Sequence, residues 1–240
     1  MKKFLVATLL MVSTNVYAQT SATVTAASNY IWRGLSFSSL GLEAAKGAPV
    51  IQGSFDYAHS SGLGLSMFVG GSDTTNFDLS TPTSVVVERD NEFDPTVSYT
   101  YAITEDFKVI AAVTGYLYVK NSSNNSTDYQ LSFAWKQFRL DGSYMDNYFG
   151  TKSSDTYVRL SMRQPVDEKL GFVLAVGSTT FGDDAKVGFK NYVDYKAGLS
   201  YTMGTTVAEA AYTATDRDED LLGNKLNDKA ATISIATTFQ

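Results

Sequence analysis

Cysteine is absent from the 240 residues, and histidine occurs once, as His59. Without cysteine there is no disulfide framework, no thiol for lipid attachment and no redox chemistry through Cys. With a single histidine as well, zinc and other transition metals lack their usual ligands, and a hydrolytic triad has one candidate base. His59 stands beside Ser60 and Ser61 at a predicted turn, where adjacent residues do not align as base and nucleophile, so it reads as a surface histidine. No enzymatic activity and no cofactor is expected. Basic charge is also scarce, with 19 Lys and Arg against 25 Asp and Glu. This argues against nucleic acid as a partner, because phosphate binding wants basic patches. Long apolar runs are missing too: Phe4 to Val12 is too short to span a bilayer, and nothing later approaches the roughly 20 apolar residues of a membrane helix.

What the N-terminus does contain is Lys2 and Lys3, that short apolar run, and Val16-Tyr17-Ala18. Together they form an export signal with cleavage expected after Ala18, leaving one domain over residues 19–240. Removing Lys2 and Lys3 leaves 17 basic residues against 25 acidic ones, a net charge of −8. A mean hydropathy of −0.11 suits a soluble protein and a transmembrane barrel equally, since only alternate residues of a barrel wall meet lipid.

Periodicity separates the two. In Pro49–Tyr57 and Leu63–Val69 one parity is mostly apolar (Ile51, Phe55, Tyr57; Leu63, Leu65, Met67, Val69) and the other is small or polar (Gln52, Ser54, Asp56; Gly64, Ser66). Period two means strands, and the pattern recurs to the end of the chain. Twelve segments follow it: 22–34, 50–58, 63–71, 92–102, 107–119, 128–137, 139–149, 155–164, 170–180, 191–202, 206–215 and 228–239. Connections after even-numbered strands are short, and those after odd-numbered ones are longer and more polar. This is the habit of outer-membrane barrels, with short periplasmic turns and long extracellular loops. The expected fold is all-β, a transmembrane antiparallel up-and-down β-barrel of about twelve strands.

Lipid-facing aromatics should then gather at two heights, where amphipathic rings prefer the headgroup zone. Tyr57, Tyr99, Tyr101, Trp135, Phe172, Tyr201 and Phe239 fall at inner strand ends. Tyr30, Trp32, Tyr129, Tyr144, Tyr148 and Tyr212 fall toward outer ends. Between them Ile51, Leu65, Val97, Ala111, Val113, Leu131, Leu160, Leu174, Ala197, Leu199, Ile233 and Ile235 form the lipid belt. The last strand ends on Phe239, close to the terminal aromatic by which barrel assembly machinery recognises its clients. Outer-membrane lipid, lipopolysaccharide and that machinery are the expected partners, and the outer membrane the expected location.

The stretch Ser28-Asn29-Tyr30-Ile31-Trp32-Arg33-Gly34-Leu35-Ser36, followed by Pro49-Val50-Ile51-Gln52-Gly53-Ser54-Phe55-Asp56-Tyr57 and Ser61-Gly62, resembles the TorF-like family of proteobacterial proteins taken to be porins. The resemblance implies an outer-membrane barrel with a channel role and names no solute. The loop from Ser36 to Pro49, with Leu40-Gly41-Leu42-Glu43-Ala44-Ala45, is longer than the usual connection of that family.

The inward parity carries Arg33, Asp56, Glu92, Asp94, Lys108, Asp128, Arg139, Asp141, Arg159, Arg163, Asp194, Lys196 and Glu209. An Arg or Lys facing lipid at mid-depth costs about 2–4 kcal/mol, so their shared parity points them into a lumen. Two readings stay open. Neighbouring strands can pair these charges into a plug, for example Arg139 or Asp141 against Arg159. Alternatively they line a narrow aqueous pore whose mixed walls set selectivity, with Arg33, Arg139, Arg159 and Arg163 as a basic ladder opposed by acids on the same face. A barrel of about twelve strands lies between the filled and the open kinds. Elsewhere, Asp216-Arg217-Asp218-Glu219-Asp220 fails the calcium-loop pattern at Leu221 and Asn227 and reads as a solvated outer loop. The Ser/Asn run around Asn125 reads as a flexible loop, and Gly70-Gly71 has no phosphate-loop context. The expected function is passive diffusion of small polar solutes or ions through a narrow mixed-charge lumen. The alternative is a closed barrel acting through its extracellular loops.

Overall fold

The alternation closes on itself. The computed structural model describes residues 18–38, 47–76, 86–217 and 228–240; the expected export signal falls outside them, apart from Ala18. Twelve strands form the wall: β1 (Gln19–Ala27), β4 (Val50–Ala58), β5 (Leu63–Asn76), β6 (Val86–Ala102), β7 (Phe107–Tyr118), β8 (Ser126–Trp135), β9 (Phe138–Met145), β10 (Asp155–Pro165), β11 (Leu170–Phe181), β12 (Tyr192–Met203), β13 (Thr206–Thr215) and β14 (Ala230–Phe239). Each pairs antiparallel with its neighbours in the chain, and β1 shuts the ring against β14, with Ala22 opposite Phe239 and Ala26 opposite Ile235. Closure leaves no unpaired edge, which is what lets a sheet sit in hydrocarbon.

Short connections gather at one end (residues 59–62, 103–106, 136–137, 166–169 and 204–205) and long ones at the other. At the long-loop end β5 and β6 run further than the sequence pattern predicts, reaching Asn76 and Val86 in continuous register. Beyond the bilayer neither face need be apolar, so the alternation that marks a strand fades there while the backbone ladder continues.

All twelve expected belt residues are exposed on the outside of the ring, Ile51 most of all at 76%. No second layer covers Leu65, Leu131 or Ile233, as one would in a water-soluble sandwich. Of the expected girdle aromatics, Tyr99, Tyr101, Trp135, Tyr201 and Phe239 are exposed at the short-turn end and Tyr129, Tyr144 and Tyr212 toward the other, while Tyr57 and Phe172 are half-buried.

Three expected girdle residues are not on the lipid face. Tyr30, Trp32 and Tyr148 are each 4% exposed, packed together inside the ring. The first strand stops at Ala27, seven residues short of the expected end. Ser28 makes the last contacts with the wall: its N–H donates to the Ile233 carbonyl (2.9 Å), and its Oγ accepts from the Ile233 N–H (3.0 Å). The chain then leaves the wall as a small hairpin, β2 (Ile31–Trp32) and β3 (Leu35–Ser36). Tyr148 departs for a related reason, since β9 ends at Met145 and a short turn over residues 148–150 follows.

Candidate functional site

The hairpin turns on two residues, Arg33 and Gly34, both with positive φ (47° and 79°) between the paired Trp32 and Leu35. Positive φ at both central residues is the requirement of a type I′ turn, whose twist matches that of its flanking strands. Glycine accepts this freely, and here it is also required by space. A Cβ on Gly34 would lie 2.6 Å from the Asp194 Cβ and 2.8 Å from the Thr215 Cγ2. Arginine in the left-handed region costs about 1–2 kcal/mol, and that cost needs an offset.

The offset is electrostatic. The Arg33 guanidinium donates to Asp155 Oδ2 (2.5 Å), Asp128 Oδ2 (3.1 Å) and Ser143 Oγ (2.9 Å). It also lies between two rings, 4.1 Å from the Trp32 centroid and 4.6 Å from that of Tyr157. Arg33, Asp128 and Asp155 are all buried. One turn residue thus ties the hairpin to β8, β9 and β10, on the side of the ring away from β1.

Hydrogen bonds brace the base of the hairpin. Asn29 Oδ1 accepts from both Ser36 Oγ (2.7 Å) and Ser38 Oγ (2.8 Å), and the Phe37 N–H donates to the Tyr30 carbonyl (2.7 Å). Around it packs an aromatic cluster. Trp32 meets Phe37, Tyr116, Tyr148 and Phe149 at centroid distances of 5.3–6.2 Å. From the 182–191 connection, Val187 and Phe189 join the same cluster. Arg217, expected in a solvated loop, is buried instead. Its guanidinium lies 4.5 Å from the Phe189 ring and donates to Asp228 Oδ2 (2.6 and 2.7 Å). The long-loop half of the lumen is therefore filled by side chains.

The short-turn half is different. Among the residues expected to line the lumen, Arg139 pairs with Asp141 (2.6 Å) and takes Ser132 as a second acceptor (2.9 Å). Glu209 accepts from both Arg163 (3.0 Å) and Lys196. The Arg163 side chain is exposed, whereas those of Arg139, Asp141, Lys196 and Glu209 are half-buried. Asp56 accepts from Ser54 (3.0 Å), and Lys108 is half-buried. Arg159 faces Asp141 in the register of β9 and β10 but forms no ion pair with it; Asp141 Oδ1 accepts from Arg139 and Ser132. Nearer the hairpin, Tyr157 donates to Asp194 (2.9 Å) and Tyr118 to Glu92 (3.2 Å); Asp94 is buried at this level as well.

The expected basic ladder is thus split: Arg33 belongs to the plug, and Arg139, Arg159 and Arg163 to the open half. Asp155, which holds Arg33 most closely, escaped the sequence reading although its strand starts there. Arg217 escaped it because a charged loop gives no parity to read, and Asp228 stands at the start of the expected last strand, two residues before the observed one begins at Ala230. His59, at the exposed short turn, contacts Ser61 Oγ (2.8 Å). Among the described residues no His, Asp or Glu cluster is suited to a metal.

An all-antiparallel twelve-stranded ring with an apolar outside and charged inside is a porin-like transmembrane barrel. The chain belongs to the family described as bacterial protein of unknown function (Gcw_chp), whose model matches residues 14–239. No curated protein matches it. Among solved structures it is similar to the NanC porin (TM-score 0.58, 9% identity, 92% of this chain and 100% of that one). It is also similar to the KdgM porin (0.56, 12% identity, 92% and 99%). A third is the COG4313 outer membrane channel from Pseudomonas putida F1 (0.57, 13% identity, 95% and 97%). At these identities the likeness is one of fold.

Proposed function

We propose that the protein is an outer-membrane channel for passive diffusion of small polar solutes or ions, whose lumen is narrow, mixed in charge and closed in its long-loop half by the Arg33 hairpin. The observation that carries this reading is the charged wall of the short-turn half around Arg139, Arg163, Lys196 and Glu209, in which the Arg163 side chain is exposed. A barrel built only as a scaffold gains nothing from charges kept in contact with an internal water column. The porin folds of its structural neighbours and the resemblance of Ser28–Gly34 to TorF-like porins support the same reading. On it, the export signal is removed after Ala18, the assembly machinery reads the strand ending at Phe239, and lipopolysaccharide surrounds the long-loop end.

The rival is a closed barrel acting through its outer loops, favoured by one observation, the buried pairing of Arg33 with both Asp128 and Asp155. Planar-bilayer recording at high salt separates them. Discrete conductance steps are expected, rare in the wild type and frequent once the hairpin is released by Arg33→Met. If neither protein ever yields steps, the channel reading fails and the closed barrel stands.

A further inference from the structure

Below the hairpin one cation stands in register with two carboxylates, Asp141 opposite and Asp194 across Gly177, yet bonds to neither. Arg159 is 9% exposed, forms no ion pair among the described residues, and its Nε is buried without a hydrogen-bond partner. A buried Nε–H in this state has given up its water without gaining an acceptor, which costs free energy unless a ligand supplies one.

Its neighbours are also basic. Arg163 lies four residues along the same face of β10. Lys196 lies across β11 from Ser161, through the paired positions Ser161, Ala175 and Lys196. Ser161 and Ala175, the positions between Arg159, Arg163 and Lys196 on this face, carry small side chains. One carboxylate, Glu209, serves both Arg163 and Lys196, and Asp194 is taken by Tyr157. Two of the three cations thus share one directly bonded acid, and Arg159 bonds to none. Counting the inward charges from Arg159 to the short turns, Lys108, Arg139, Arg159, Arg163 and Lys196 stand against Asp56, Asp141, Asp194 and Glu209, five cations to four carboxylates, in a chain whose overall charge is negative.

We infer that Arg159, with Arg163 and Lys196, forms a binding site for small carboxylate anions at the floor of the hairpin plug, reached from the short-turn end. The planar fork of Arg159 matches a carboxylate in two parallel hydrogen bonds, and the flanking cations keep the site attractive while Glu209 keeps it from holding its ligand too tightly to release. The inference deepens the channel reading by naming a solute class, and rests on that reading only for what passes through.

Two measurements on the full chain test it. In detergent, chloride-35 NMR line broadening reports halide exchange at such a site whether or not the barrel conducts. Wild-type protein should broaden the line, with acetate reversing the effect, while Arg159→Gln should lose at least about half of the broadening and Arg159→Lys should keep most of it. Arg139→Gln, whose guanidinium already has Asp141, should change the line less than Arg159→Gln does. In bilayers under a KCl gradient, the reversal potential should show anion preference, and Arg159→Gln should lower the chloride-to-potassium permeability ratio by about threefold or more. Broadening that is lost in Arg159→Gln without any conductance upholds the site and defeats the channel. Conductance without anion preference, together with acetate-insensitive broadening equal in wild type and Arg159→Gln, overturns the site and leaves the channel standing.

Discussion

The plug can be tested through the one side chain that ties it down. Arg33→Met keeps much of the volume and the packing against Trp32 and Tyr157 but removes the charge. Asp128 and Asp155 then remain buried with their cation gone. Breaking a buried pair by removing one partner costs about 3–5 kcal/mol, and loss of the guanidinium over the two rings adds about 1 kcal/mol. At about 1.4 kcal/mol per factor of ten, the pair alone shifts the docked-to-released ratio of the hairpin by roughly two to three and a half orders of magnitude. The wall of the barrel should be unaffected, because β2 and β3 bond to each other and not to its ladders.

The sequence provides its own reporter. Trp32 and Trp135 are the only tryptophans; the first is buried in the plug and the second faces lipid. In a Trp135→Phe background, Trp32 fluorescence should be blue-shifted and poorly quenched by acrylamide with native Arg33, and red-shifted and readily quenched with Arg33→Met. The triple variant Arg33→Met, Asp128→Asn, Asp155→Asn removes all three charges and should regain most of the protection, since a neutral replacement of a buried ion cluster need not be destabilising. If Trp32 in Arg33→Met is quenched no more than in the parent, the hairpin is held by packing alone and the electrostatic argument is wrong.

Gly34→Ala should release the hairpin too, as the added Cβ meets Asp194 and Thr215 and the turn loses its glycine; the same quenching assay reads it, and unchanged protection would refute the turn geometry. On the wall, Leu131→Arg faces lipid and should cost about 2–4 kcal/mol in urea titrations of vesicle-folded protein, whereas Gln130→Arg, one residue away on the lumen side, should cost much less. At the short turn, the Asp167 carboxylate accepts the N–H groups of Lys169 and Leu170 (both 2.7 Å), which hold its pKa below the ordinary carboxylate range. A lowered folded-state pKa gives stability that is present above the unfolded pKa and lost as pH falls through the folded one. Asp167→Asn should therefore lower the unfolding midpoint at neutral pH, and the difference from wild type should vanish in acid.

How much of this was readable beforehand follows from where the physics repeats. Between the girdles every strand meets the same two media, so alternation locates it: β4 and β13 run over the residues their patterns predict. Where the media change, the code changes with them. In Ser28–Ser36 the residues Tyr30 and Trp32 keep the parity of the lipid-facing Ala22, Val24 and Ala26, yet they end inside the ring. A filled lumen mouth wants large aromatics as much as the headgroup zone does, and parity alone does not distinguish the two burials. The distinguishing residues were the polar ones: Asn29 and Ser38, which close the hairpin base, and Arg33-Gly34, a turn pair where a strand had been expected to end. An arginine at positive φ holds its place only because two acids from distant strands meet it, and such long-range pairing leaves no trace in local sequence. The open half obeys the reverse logic. Its charges were legible one by one from parity, but not their pairing: Arg139 bonds Asp141 two residues along its own strand, while Arg159, directly opposite, does not. The same fold thus uses one arginine to close its lumen and leaves another without an ion pair, and that difference is what makes the first a latch and the second a site.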